Sequence, residues 1–169
     1  WATWSPPGLP VSLRYPRGWR TGEFAEDNLT YAFFVRSTWV RIHVIAGPPI
    51  AQAVYRPGLW ESDAYPALEW MHARSREFWR ELFGEMREGR VTRTFLGDRP
   101  AVWSEFHYTG GTIEARAEPM IGYRATVLGA GTGVLIAVVA PERSWREFQP
   151  IALDVLRSVR FKPPARGQF

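Results

Sequence analysis

The chain contains no cysteine. That excludes disulfides, thiolate metal sites and a cysteine nucleophile at once. Lysine is almost absent too: Lys162 stands alone beside twenty arginines, the two types together making 21. A GC-rich genome or thermal adaptation produces such a bias. No apolar run approaches the roughly 18 residues that a membrane span requires; Gly133 to Ala140 has the length of a strand. The sequence opens on Trp1 rather than methionine, which leads us to expect a signal or lipid-anchor segment removed upstream, or a trimmed boundary.

What is present describes a cored domain. Hydrophobic residues make up 46% and charged residues 22% of 169 residues, enough for one domain with a substantial core. The net charge of +4 is spread among glutamates, which reads as a solvated mixed surface and disfavours nucleic acid as a partner. Residues 1–8, with Pro6 and Pro7, read as a flexible tether, residues 9–161 as a single domain, and residues 162–169 as a flexible tail.

Periodicity supplies the elements. Val11–Tyr15, Leu29–Arg36 and Trp39–Ala46 read as strands, with Val40, Ile42 and Val44 on one face and Trp39, Arg41 and His43 on the other. Gly47–Glu61 has no period and reads as a long loop. A helix follows from Ser62 or Asp63, its buried stripe being Leu68, Met71, Ser75, Phe78 and Leu82. Arg90–Leu96 and Pro100–Thr109 are strands joined at Gly97-Asp98-Arg99, and Gly110-Gly111 turns the chain into Thr112–Glu118. Ile121–Leu128 and Gly133–Ala140 form another hairpin. A second helix opens after Pro141 with Ser144 and Glu147 as a capping box and Trp145, Phe148, Ala152, Val155 and Val159 inward. Val159–Phe161 closes the domain. Hairpins interrupted by one helix and ended by another specify an α+β fold, a mostly antiparallel sheet packed by helices.

The order of these elements resembles the PsbP-like family over about residues 9–161. The resemblance is carried by Val11-Ser12-Leu13-Arg14-Tyr15-Pro16-Arg17-Gly18-Trp19, by Gly97-Asp98-Arg99-Pro100-Ala101, and by Ala140-Pro141 before a helix that closes in Arg157-Ser158-Val159-Arg160-Phe161. The family includes extrinsic photosystem proteins, a Ran-binding nuclear transport factor and exported bacterial proteins of the DcrB type. The resemblance implies an α/β/α sandwich, an accessory or binding role, and a site of action outside the cytoplasm. The uncharged segment Trp1–Pro10 departs from the basic amino-terminal tail of the photosystem members.

Three clusters are candidates for function. Tyr55, Arg56 and Trp60 place aromatics beside an arginine in the long loop, the composition of a surface that holds a protein or small ligand. Glu105 and His107 share one strand face, and His43 joins them as a metal or hydrolytic site if its strand is a neighbour. Gly129-Ala130-Gly131-Thr132-Gly133 invites a phosphate-loop reading, but a strand follows it rather than a helix, so it reads as a hairpin turn. No Gly-x-Ser-x-Gly elbow and no cofactor motif occur. The sequence therefore favours a non-enzymatic extracytoplasmic binding module without cofactor. The alternatives are an enzyme using the His43, Glu105 and His107 face, and a homo-oligomeric scaffold with an aromatic interface.

Overall fold

The structure is a computed structural model that describes residues 1–54, 63–111, 117–129 and 131–162. Among the described residues eleven strands and four helices follow in the order β1 (Ala2–Trp4), β2 (Val11–Tyr15), β3 (Arg20–Glu26), β4 (Leu29–Val35), β5 (Arg41–Gly47), α1 (Pro48–Val54), α2 (Tyr65–Arg74) and α3 (Arg76–Phe83). Then come β6 (Met86–Glu88), β7 (Thr92–Leu96), β8 (Arg99–Gly110), β9 (Glu118–Gly129), β10 (Thr132–Pro141), α4 (Glu142–Arg157) and β11 (Arg160–Phe161).

The large sheet runs β3-β4-β5-β10-β9-β8-β6, with β7 sharing the outer side of β8, and every pairing in it is antiparallel. Strand β10 is buried at each of its positions. An apolar strand with no polar face must be covered on both sides, and two cores do this. One face packs Ile42, Val44, Ala125, Ile136 and Val138 against α4 and the small sheet β1-β2-β11. The other packs Ile45, Phe106, Met120, Leu135 and Val139 against α1, α2 and α3. The result is an α/β/α sandwich.

Several elements differ from the sequence reading. Ala2–Trp4 is not a tether: it pairs with β2 and buries Trp4, while Pro6 and Pro7 serve the turn between the two strands. Strand β3 carries no alternation because it lies exposed at the sheet edge. Its hairpin with β4 closes through Asp27 and Asn28, both at positive φ, 51° and 61°, as a turn matched to strand twist requires. The first seven residues after Gly47 are the helix α1, which buries Ile50 and Val54 one turn apart. Gly110 pairs with Glu118 at the end of β8 and β9; residues 112–116, on which most of the expected strand Thr112–Glu118 falls, lie outside the described residues. The helix α4 begins at Glu142, so Ser144 lies inside it and donates to the Pro141 carbonyl at 3.2 Å instead of forming a capping box.

The expected single helix is broken at Ser75. In an unbroken helix the His72 carbonyl would accept the N–H four residues on. Here it accepts from Arg124 Nη1 at 2.5 Å and from the Ser75 hydroxyl at 3.0 Å, and a side chain inserted into the ladder is a recognised cause of a kink. Leu68, Met71 and Ser75 are buried as the stripe predicts, but beyond the break the inward residues are Trp79 and Phe83. Phe78 is half-buried and Leu82 is 46% exposed. Leu68→Ala should therefore cost about 2–5 kcal/mol in chemical denaturation, as core truncations do. Leu82→Ala should stay within about 0.5 kcal/mol. Similar losses for the two variants would show that the helix faces the sheet differently.

Candidate functional site

Strand order separates the histidine cluster. β5 and β8 have β10 and β9 between them, about 14 Å at the usual spacing of neighbouring strands. Register also turns them apart. His43 pairs with Ala137 and faces the core under α2 and α3, touching Phe83 at 5.5 Å between ring centroids. Glu105 pairs with Tyr123 and His107 with Ile121, both on the α4 side. The shared face of Glu105 and His107 holds; the addition of His43 does not. His107 is instead joined from α4 by Glu142, whose Oε1 lies 2.9 Å from Nδ1, while Glu105 Oε1 lies 3.1 Å from Nε2. Both ring nitrogens are thus engaged by carboxylates. Among the described residues no group of three or more His, Cys, Asp or Glu is arranged to hold a metal ion. Tyr55, Arg56 and Trp60 lie outside the described residues.

The third histidine, which the sequence reading passed over, sits in a buried polar cluster. His72 on α2 is fully buried against the sheet. Its Nδ1 is 2.9 Å from Thr126 Oγ1 and its Nε2 is 2.9 Å from Ser104 Oγ. The Ser104 hydroxyl donates to Glu88, which also accepts from Arg124 Nε at 2.6 Å. Ser104 has one proton to give, so His72 Nε2–H donates to its oxygen and Nδ1 accepts from Thr126. A hydrolase needs the reverse, an imidazole that takes the serine proton. The cluster is a closed lock between α2 and the strands β6, β8 and β9, with no open side at Ser104 or His72.

Charge states follow from this packing. Burial alone would raise Glu88, but His72, its Nε2 3.5 Å away, and hydrogen bonds from Arg124 and Ser104 outweigh it and hold the carboxyl at about 2. Burial lowers His72, with Arg124 adding to the effect, and burial followed by Arg41 lowers His43 to about 4. Between the ordinary value of 6.5 and about 4 the unfolded chain takes up a proton that folded His43 refuses, so stability falls on acidification. Glu88 continues the fall from 4.5 towards about 2. Unfolding free energy measured against pH should therefore decline below pH 6.5 without a plateau until about pH 2. His43→Phe should make the upper part shallower, with buried His72 still contributing there, and leave the lower part unchanged. Glu88→Gln at neutral pH should cost about 3–5 kcal/mol, because buried Arg124 loses its counter-charge.

The remaining candidate lies at the sheet edge. Phe24 on β3 is 54% exposed and stacks on Tyr31 of β4, rings 4.7 Å apart and 4° from parallel. Phe33, 40% exposed, lies across Gly22, where a Cβ would collide with its ring. Phe24, Tyr31 and Phe33 thus form an aromatic shelf on one face of the β3–β4 hairpin. It continues inward from Tyr31 to Phe78 and then to Trp79, with centroids 6.4 and 5.0 Å apart. Beside the shelf β3 has no strand on its outer side among the described residues. A cleft of about 260 Å³ separates β3 from β1, lined by Thr3, Trp4, Thr21 and Glu23 among others.

No protein-family model matches the sequence, and no curated protein matches it. Solved structures do. The cyanobacterial PsbP (CyanoP) of Synechocystis sp. PCC 6803 superposes with a TM-score of 0.57 at 12% identity, over 95% of this chain and 91% of that one. A protein of Bacteroides thetaiotaomicron VPI-5482 gives 0.53 at 12% identity, over 98% of this chain and 49% of that one. The Saccharomyces cerevisiae Ran-binding protein Mog1p gives 0.52 at 10% identity, over 95% and 94%. At such identities the likeness speaks for architecture alone. The chain has the PsbP-like fold, an antiparallel sheet sandwiched between helices.

Proposed function

We propose that this protein is a non-enzymatic binding module that takes an extended strand of a protein partner onto the outer edge of β3, which no described strand covers. The observation that carries the reading is the shelf of Phe24, Tyr31 and Phe33 set directly beside that edge. An unpaired strand offers backbone donors and acceptors, which give affinity, and neighbouring aromatic surface gives selectivity. Large exposed aromatics that continue into the core are rigid anchors, bought at little entropic cost. Arg20 and Glu26 along β3 guard the edge against indiscriminate pairing, while Glu23 accepts from Trp4 Nε1 at 2.5 Å. The buried His72 and Ser104 support the same reading, since their hydrogen bonds are spent inside the protein.

Tyr55, Arg56 and Trp60, which follow α1 in the chain, are proposed as further contacts with the partner. The resemblance to exported proteins favours a site of action outside the cytoplasm, which fractionation of the source cells tests.

Phe24→Ser with Phe33→Ser should leave the melting temperature within about 5 °C, because both rings lie outside the two cores. It should abolish crosslinking of the native partner, and hydrogen exchange should show residues 20–26 of the wild type protected in the complex. Undiminished crosslinking by the double variant, with β3 amides unprotected, would sink the proposal. A dimer of the wild type that the double variant loses, in sedimentation of the pure protein, would assign the shelf to self-association instead.

A further inference from the structure

The outer face of the small sheet holds a second cluster that packing does not explain. Thr3 pairs with Arg14 across β1 and β2, and Ser12 with Arg160 across β2 and β11. Since faces alternate along a strand, these four project away from buried Trp4, Val11, Leu13 and Phe161. The end of α4 adds Asp154, Arg157 and Ser158, and Trp1 closes the other side of a groove of about 500 Å³. That size is in the range of small-ligand sites.

Three guanidiniums stand there against one carboxylate. Among the described residues, Arg14, Arg157 and Arg160 are not in ion-pair contact with any acidic side chain, whereas Arg80, Arg93, Arg124 and Arg143 each hold a glutamate. Two of the three are held in place by other means. The Arg14 guanidinium lies 5.6 Å from the centre of the Trp1 ring, and its backbone N–H donates to Ser158 Oγ at 2.7 Å. Arg160 Nη1 donates to the carbonyls of Arg157 and Val159 at 2.7 and 2.8 Å, which anchors one nitrogen of a guanidinium that lines the groove. Positioned guanidiniums match the paired oxygens of an oxyanion, and the hydroxyls of Thr3 and Ser12 add short donors beside them.

We propose that this groove binds a phosphate monoester, its dianion seated among Arg14, Arg157 and Arg160 with the organic part against Trp1. The charge count selects the dianion, because three arginines less Asp154 leave two positive charges to match. A soluble phosphorylated compound and the headgroup of phosphatidic acid carry the same chemistry. This site is on the far side of the large sheet from the Phe24–Phe33 shelf, so the two proposals fail independently.

The test is calorimetric titration of glycerol 3-phosphate into the full chain at about 0.1 M salt, beside sedimentation with vesicles of phosphatidylcholine alone or with phosphatidic acid. Arg14→Gln and Arg157→Gln should each weaken binding about tenfold. Arg146→Gln, an exposed arginine of α4 outside the groove, should not. Saturable binding of glycerol 3-phosphate with this arginine dependence supports a soluble ligand. Binding only to phosphatidic acid vesicles, with the same dependence, supports the lipid source. No binding in either arm, or binding that Arg146→Gln weakens as much as the groove variants, overturns the proposal. Unchanged circular dichroism of the three variants separates loss of the site from loss of the fold.

Discussion

Strands β9 and β10 carry apolar side chains on both faces of the large sheet, and each face has to be removed from water by some other part of the chain. At about 25 cal/mol per Å² of apolar surface, leaving either one bare would exceed the net stability of a domain. α4 and the small sheet answer on one side, and α1 to α3 on the other. The small sheet depends on the same packing: its short strands need a covered apolar face, and Trp4, Val11, Leu13 and Phe161 belong to the core that α4 covers.

One residue of β9 breaks the apolar pattern, and the helices are built around it. Arg124 is fully buried, with Glu88 as its counter-charge and the His72 carbonyl as a further acceptor. Taking the carbonyl from the helical ladder divides α2 from α3, and the division turns Trp79 and Phe83 inward in place of Phe78 and Leu82. A buried ion pair adds little net stability over an apolar pair of the same volume, but removing one partner is expensive. The cluster thus fixes where the helices sit more than how strongly they are held.

The two proposed sites lie at the margins of this packing. The interior is spent on packing and on a polar lock whose donors and acceptors are matched to each other. The β3 edge with its aromatic shelf and the arginine groove of the small sheet are both outside the two cores, on opposite sides of the large sheet. Each is made of side chains whose exposure no core contact explains.

The sequence by itself determined the elements whose burial is written as period. Strands β9 and β10, the turn between them, the α4 stripe and the antiparallel class all follow from apolar spacing and glycine placement, because burial on a strand or helix recurs at a fixed interval. Strand β3 was silent, since an exposed edge needs no period, and α1 was hidden by its shortness and prolines. Only the tertiary structure decided partnership across the sheet. Strand order set His43 three strands away from Glu105 and His107 and register turned it to the opposite face, and helix packing brought His72 to Ser104 and Thr126, residues 32 and 54 positions away. The tertiary structure likewise gathered Arg14, Arg157 and Arg160 from both ends of the chain. Local spacing fixes which way a side chain points, but which strand lies beside it depends on how two covered faces are shared among all the elements at once.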